Sequence, residues 1–174
     1  MTDRGPSDEP MSAALAGDLA SRGTAQSTAL GIQMIAGQCA MRAPFRADLV
    51  GDPADGGLAG GVITTLLDQT CGMAVGWAMR GANPWDVDGG DPWSAMKDEP
   101  RRFGTMATLD LRIDFVRPAK PGRDVTARAE CYQIAGGVAF VRGEAFEDDP
   151  ADPIAAAQAA FMLTEAPPPE TPAP

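Results

Sequence analysis

The residue of this chain best suited to chemistry is an aspartate set among apolar neighbours. In GGVITTLLDQTCGMAVGWAM, Gly60 to Met79, the residues Val62, Ile63, Leu66, Leu67, Cys71, Met73, Ala74, Val75, Trp77 and Ala78 cover most of a helical wheel. A helix apolar nearly all round is a buried one. Its exception is a narrow stripe of Thr64, Asp68 and Gly72 at i, i+4 and i+8, flanked by Thr65 and Gln69. Asp68 is therefore expected midway along a buried helix with little water nearby. A carboxylate so placed can serve as a general base or as a nucleophile, although a lone helical aspartate is more often an ordinary surface group.

The composition narrows the chemistry further, because the chain contains no histidine. Every Ser/His/Asp, Cys/His or His/Asp mechanism is thereby excluded within the chain, together with the common histidine-ligated zinc sites. Catalysis must use carboxylate, hydroxyl, lysine or backbone groups. The three cysteines, Cys39, Cys71 and Cys131, are odd in number, far apart and set among apolar neighbours. They read as buried free thiols in a reducing compartment, with no disulfide and no metal site expected. A formal charge of −10 opposes contact with nucleic acid. Yet Lys97, Arg101, Arg102, Arg112, Arg117, Lys120, Arg123 and Arg128 put eight of the fourteen basic residues within about a fifth of the chain. A small polyanion could find a local cationic mouth there.

These residues need elements to position them. The length of 174 residues suits one domain, and 44% hydrophobic residues suffice for one core. Residues 1–11 (MTDRGPSDEPM) and 165–174 (EAPPPETPAP) are too polar and proline-rich to pack, so solvated tails are expected around a domain over 12–164. No stretch is apolar enough to span a membrane and no basic-then-apolar leader opens the chain, so a cytoplasmic protein without membrane contact is expected.

Ser12 to Ala20 suggests a short helix with Ser12 as N-cap. Leu30 to Phe45 suggests a strand or a strand pair with a tight turn or bulge, followed by the loop DLVGDPADGGLAGG. After the long helix, residues 81–104 lack periodicity and hold Trp85 and Trp93, which suits a lid, a binding loop or disorder. Period-two alternation then sets Leu109, Leu111, Ile113 and Phe115 against Asp110, Arg112 and Asp114. It also sets Val125, Ala127, Ala129 and Cys131 against Thr126, Arg128 and Glu130. Both patterns indicate half-buried strands, joined by the turn PAKPG over 118–122. Gly136-Gly137 offers a second hairpin turn into VAFVRGEAF. In PIAAAQAAFML, Pro153 to Leu163, alanine favours helix, but length and position favour a closing strand, which is the assignment adopted. The result is an α+β fold, an antiparallel sheet wrapped around one apolar helix.

The pairing of LAGGVITTLLDQTCGMA with ATLDLRIDFVRPAKPGRDVTARAECYQIAGGVAFVRGEAF resembles the hot dog fold thioesterases of the phenylacetate-degradation type, over roughly Leu30 to Thr164. The resemblance implies an acyl-CoA thioesterase, with coenzyme A as part of the substrate and no separate cofactor. It also implies a site formed between two subunits, in a homodimer or a dimer of dimers. In that family a His-Gly-Gly motif opens the helix and a carboxylate lies two turns in. Gly60, Gly61 and Asp68 match, whereas the histidine position is Ala59. Thr108 falls where relatives carry a small hydroxyl residue on the strand facing the site. Asp52 is the nearest polar candidate in the preceding loop, offset by one residue. A glycine amide at a helix N-terminus is a suitable oxyanion donor, and Gly60 is the candidate. Thr108 could orient the water or the Asp68 carboxylate, and Arg117, Lys120 and Arg123 could meet the CoA phosphates. Two functions follow: hydrolysis of a small or medium acyl-CoA, aryl-acyl thioesters included, or a non-catalytic binder of acyl-CoA or another hydrophobic ligand whose activity was lost with the motif histidine at Ala59.

Overall fold

The computed structural model describes residues 24–35, 38–79 and 103–165. The expected helix over 12–20 and most of the 81–104 segment, with Trp85 and Trp93, lie outside the described residues. Helix α1 (Ala25–Leu30) opens with Thr24, whose side chain accepts the Ser27 amide, and closes at Gly31 in the left-handed conformation. Strands β1 (Gln33–Met34) and β2 (Ala40–Ala43) form the strand pair. Helix α2 (Gly60–Ala78) is followed by β3 (Phe103–Phe115), β4 (Val125–Ala135), β5 (Val138–Phe146) and β6 (Ala155–Glu165). No described helix is long and apolar enough to cross a membrane.

The six strands make one antiparallel sheet in the order β1-β2-β4-β5-β6-β3. Its inner face receives α2, so the α+β architecture expected of the sequence is the one observed. Leu66, Leu67, Cys71 and Val75 are fully buried on the helix, against Val125, Ala127, Val141 and Ala145 of the sheet. The large side chains come from the helix and small ones from the strands, which lets the helix lie close. At Gly143 a Cβ would sit 3.2 Å from Cys71 Sγ and 3.2 Å from the Arg128 carbonyl oxygen. Glycine at that point of β5 is what the close approach of α2 requires. Gly136 and Gly137, at φ 59° and 77°, make the β4–β5 hairpin turn.

The alanine-rich segment is a strand, because β6 is paired on both sides, with β5 and with β3. Tertiary pairing overrides the helix preference of its alanines. In β3 the expected alternation breaks. Thr108 pairs with Phe161 but Asp110 pairs with Ala160, so Leu109 is the extra residue of a bulge and stands 55% exposed. Phe161 is buried, so the bulge turns Thr108 to the same inner face as Leu111 and Ile113. Leu109 therefore does not join the half-buried row in which the alternation had set it. A second correction concerns Cys131, which is half-buried beside a bulge in β4, whereas Cys39 and Cys71 are buried as expected.

Candidate active site

The N-terminus of α2 is built by the loop before it. Val50 and Leu58 form an isolated bridge, the Gly51 amide donates to Gly57 O at 3.1 Å, and the Ala59 amide donates to Leu49 O at 2.9 Å. Ala59 caps the helix with no side-chain hydrogen bond, and the amides of Val62 and Ile63 turn back to its carbonyl at 3.0 and 3.3 Å. The amides of Gly60 and Gly61 are thus the helical donors left at the dipole's positive end. Gly60 is exposed, and the Phe115 ring lies over it, 3.5 Å from where a Cβ would be. Gly61 has open space beside it. Ala59, at the position of the motif histidine, is half-buried and packs on Gly51, whose own Cβ would come 3.0 Å from Ala59 Cα.

Two turns into the helix, Asp68 Oδ1 accepts a hydrogen bond from Thr108 Oγ1 at 3.0 Å. The structure brings these two candidates together, and the bulge at Leu109 is what allows it. Asp68 is half-buried rather than nearly dry, and Thr108 beside it is exposed on β3, an edge strand among the described ones. One turn further, Gly72 is buried and lets β3 and β6 pack close on the helix: a Cβ there would meet Met106 Cε at 3.4 Å and Phe161 Cε1 at 3.7 Å. Thr65, on the flank of the stripe, is occupied locally, donating to Gly61 O at 3.0 Å and accepting from Gln26 Nε2 at 3.3 Å.

Other candidates are engaged elsewhere. Asp52 Oδ1 accepts the Ala54 amide at 2.9 Å, and its carbonyl accepts the Gly56 amide at 2.9 Å, so this carboxylate shapes its own loop tip. Arg117 is held from three sides. Its Nε and Nη2 donate to Asp152, each carboxylate oxygen at 3.0 Å, its Nη1 donates to Glu147 Oε2 at 3.1 Å, and Nη2 also reaches Asp152 O at 2.8 Å. Burial works against its charge, but the hydrogen bonds to Asp152 and Glu147 prevail and raise its pKa. Lys120 and Arg123 stand at the surface with ion pairs of 3.7 Å to Glu147 and 3.5 Å to Asp148. Glu147, with its side chain only 1% exposed, escaped the sequence reading. Its signal is parity, since it continues the inward row Ala139, Val141, Gly143, Ala145 past the end of β5. On the outer face of the sheet a groove of about 540 Å³, lined by Arg128, Glu130, Arg142 and Glu144, takes one residue of the basic cluster, Arg128, and none of the candidate catalytic residues.

The family model of the thioesterase superfamily matches residues 55–154, which hold Gly60, Asp68 and Thr108. The chain belongs to the thioesterase superfamily. It is 32% identical over 117 residues to the Escherichia coli protein described as medium/long-chain acyl-CoA thioesterase YigI, covering 66% of this chain and 68% of that one. Among solved structures, a protein of Pseudomonas aeruginosa is 36% identical with a TM-score of 0.57, over 79% of this chain and 88% of its own. The E. coli PaaI protein from the phenylacetic acid degradation operon has a TM-score of 0.61 at 17% identity, over 87% and 91% of the two chains. PaaI shares the fold, and at that identity the likeness extends to the fold alone. This thioesterase is a hot dog protein and a thioester hydrolase.

Proposed function

We propose that this thioesterase hydrolyses medium-chain acyl-CoA in a site that two copies of the chain complete together. The observation that carries the reading is the Asp68–Thr108 pair at 3.0 Å, half-buried on the helix side and exposed on the strand side. Asp68 takes a proton from water as the water oxygen attacks the thioester carbonyl, or attacks the carbonyl itself to give an acyl anhydride that water then opens. In either case the C–S bond breaks, CoA leaves as its thiol and the acyl group as the free acid.

The oxyanion needs a donor about 3 Å away, and the Gly60 amide suits that role. Gly60 and Asp68 are separated by eight residues of one helix, roughly 12 Å of axial rise. A single carbonyl is hard to fit between an amide and a carboxylate-bound water so far apart on one axis. A second copy brought alongside the edge of β3 that no described strand covers would offer its own Gly60 to this protomer's Asp68. The edge is apolar enough to want a partner: Met106, Leu109, Phe115 and Val116 are all exposed. Lys120 and Arg123, exposed on and after the PAKPG turn, suit the CoA phosphates better than Arg117, whose guanidinium is already engaged.

The test is release of CoA from a panel of acyl-CoAs of increasing chain length, by wild type and by Asp68→Asn. The expected result is turnover peaking at medium chains and a kcat lower by about 100-fold or more in the variant, with folding intact. Wild-type turnover in a folded Asp68→Asn protein refutes the mechanism.

A further inference from the structure

We infer that the buried Glu147 is a positioning residue for the oxyanion donor, holding the PAKPG turn against the loop that launches α2. The inference rests on the reading of Gly60 as that donor. Glu147 lies just past the end of β5, and its carboxylate accepts two hydrogen bonds, the Lys120 amide on Oε1 and Arg117 Nη1 on Oε2 at 3.1 Å, with the Lys120 ammonium as an ion pair at 3.7 Å. Both ends of the segment Arg117–Lys120 are thereby pinned to one buried group.

The residue between them makes the next contact. Ala119 is buried, and its carbonyl oxygen fills the place a Cβ on Gly57 would occupy, so Gly57 sits directly on it. Pro121 lies against Gly56 in the same way, 2.9 Å from its missing Cβ, with Gly56 held at φ 68°. Upstream of the turn, Phe115 covers Gly60 itself. The stretch from Phe115 to Pro121 therefore grips the loop at Gly56, Gly57 and Gly60, and Glu147 fixes that grip to the sheet.

A buried charge is held at a cost in desolvation, and taking away Glu147 alone leaves Arg117 Nη1 and the Lys120 amide without this acceptor, so a loss of stability is expected in any case and does not by itself decide the role. What the carboxylate supplies is an acceptor for the Lys120 amide in one geometry, and with it a defined height for the Ala119 carbonyl under Gly57. An oxyanion donor displaced by an ångström loses transition-state stabilisation while substrate binding is kept.

The experiment uses the full chain and two readouts: steady-state thioester cleavage, and hydrogen–deuterium exchange of the peptides covering residues 50–61. Glu147→Ala is expected to lower kcat about tenfold with KM within twofold, and to speed exchange in that segment. Glu147→Gln, which keeps an acceptor for the Lys120 amide, is expected to recover most of the loss. Gly57→Ala, whose new Cβ must push the Ala119 carbonyl away, is expected to give the same kcat defect and to add little to Glu147→Ala. If Glu147→Ala does not fold, Glu147→Asp decides, since the shorter carboxylate withdraws from the Lys120 amide while keeping its charge, and wild-type kcat and exchange in that variant overturn the inference. A lower melting temperature with unchanged kcat and unchanged exchange would reduce Glu147 to a stability residue and overturn the inference. Absence of turnover in wild type would instead defeat the reading of Gly60 as oxyanion donor, while the exchange data would still report on the clamp.

Discussion

Removing the Thr108 hydroxyl tests whether the strand side of the site does anything for Asp68. Thr108→Val keeps the β-branched shape that suits a strand and deletes one donor, the Oγ1 that lies 3.0 Å from Asp68 Oδ1. Hydrogen bonds to charged groups contribute roughly 1.5–3 kcal/mol, and this one, on an exposed threonine and a half-buried aspartate, belongs at the low end. About 1.4 kcal/mol corresponds to a tenfold change in rate, so kcat/KM should fall about tenfold if the bond sets the carboxylate's orientation in the transition state. The assay is the initial rate of CoA thiol release, with circular dichroism and melting to show that the strand is intact. The same substitution in the Asp68→Asn background should cost little, because the group being oriented is no longer a base. Full activity in Thr108→Val refutes the reasoning. So does a tenfold loss of equal size in both backgrounds, since it would mean that Thr108 acts without Asp68.

The edge of β3 that no described strand covers carries the next expectation: light scattering should give at least twice the mass of one chain, and Leu109→Lys at the bulge should yield monomers with little turnover. Wild-type protein that stays monomeric at micromolar concentration would sink the two-copy site. Burial pushes the Cys39 and Cys71 thiols up to about 12 from an ordinary 9.0, so both should resist a thiol reagent in the folded protein, while all three cysteines react in denaturant. The same shifts give stability a direction with pH. The folded state holds those protons while the unfolded chain releases them, so stability is level below about pH 9 and falls as pH rises toward 12, by up to roughly 1.4 kcal/mol per pH unit per thiol. A urea midpoint that does not move between pH 9 and 11 contradicts this, and Cys71→Ala should reduce the slope.

The helix carrying Asp68 was legible because apolar residues on nearly every side of a wheel have one physical explanation, burial beneath a sheet. The carboxylate's exposure was not, since periodicity reports which face a helix presents to its own chain and says nothing of how far the neighbouring strand covers that face. Thr108 was found through resemblance alone. Strict alternation from Leu111 and Ile113 would have sent its side chain to the outer face, and only the pairing with β6 reveals the bulge that reverses it. Arg117 read as a surface cation because its partner Asp152 lies 35 residues on, and Glu147 was hidden in the acidic run EDD. Ion pairs closed by tertiary contacts leave no local pattern to read. The strand β6 was placed correctly for a topological reason rather than a propensity one.

The position of β3 in the sheet has a consequence for how the protein is made. Thr108 is translated long before β6, yet among the described strands β3 pairs with β6 alone, so it has no place in the sheet until β6 has emerged from the ribosome and docked on β5. The β4–β5 hairpin can form locally in the meantime, whereas joining Thr108 to Phe161 closes a long loop and is entropically late. Until then an apolar edge strand waits on the nascent chain without its neighbour, and the carboxylate on α2 waits without its hydroxyl. Catalytic competence in this fold is therefore a late event of biosynthesis, and a premature stop before β6 yields a chain with Asp68 on its helix and no strand to face it.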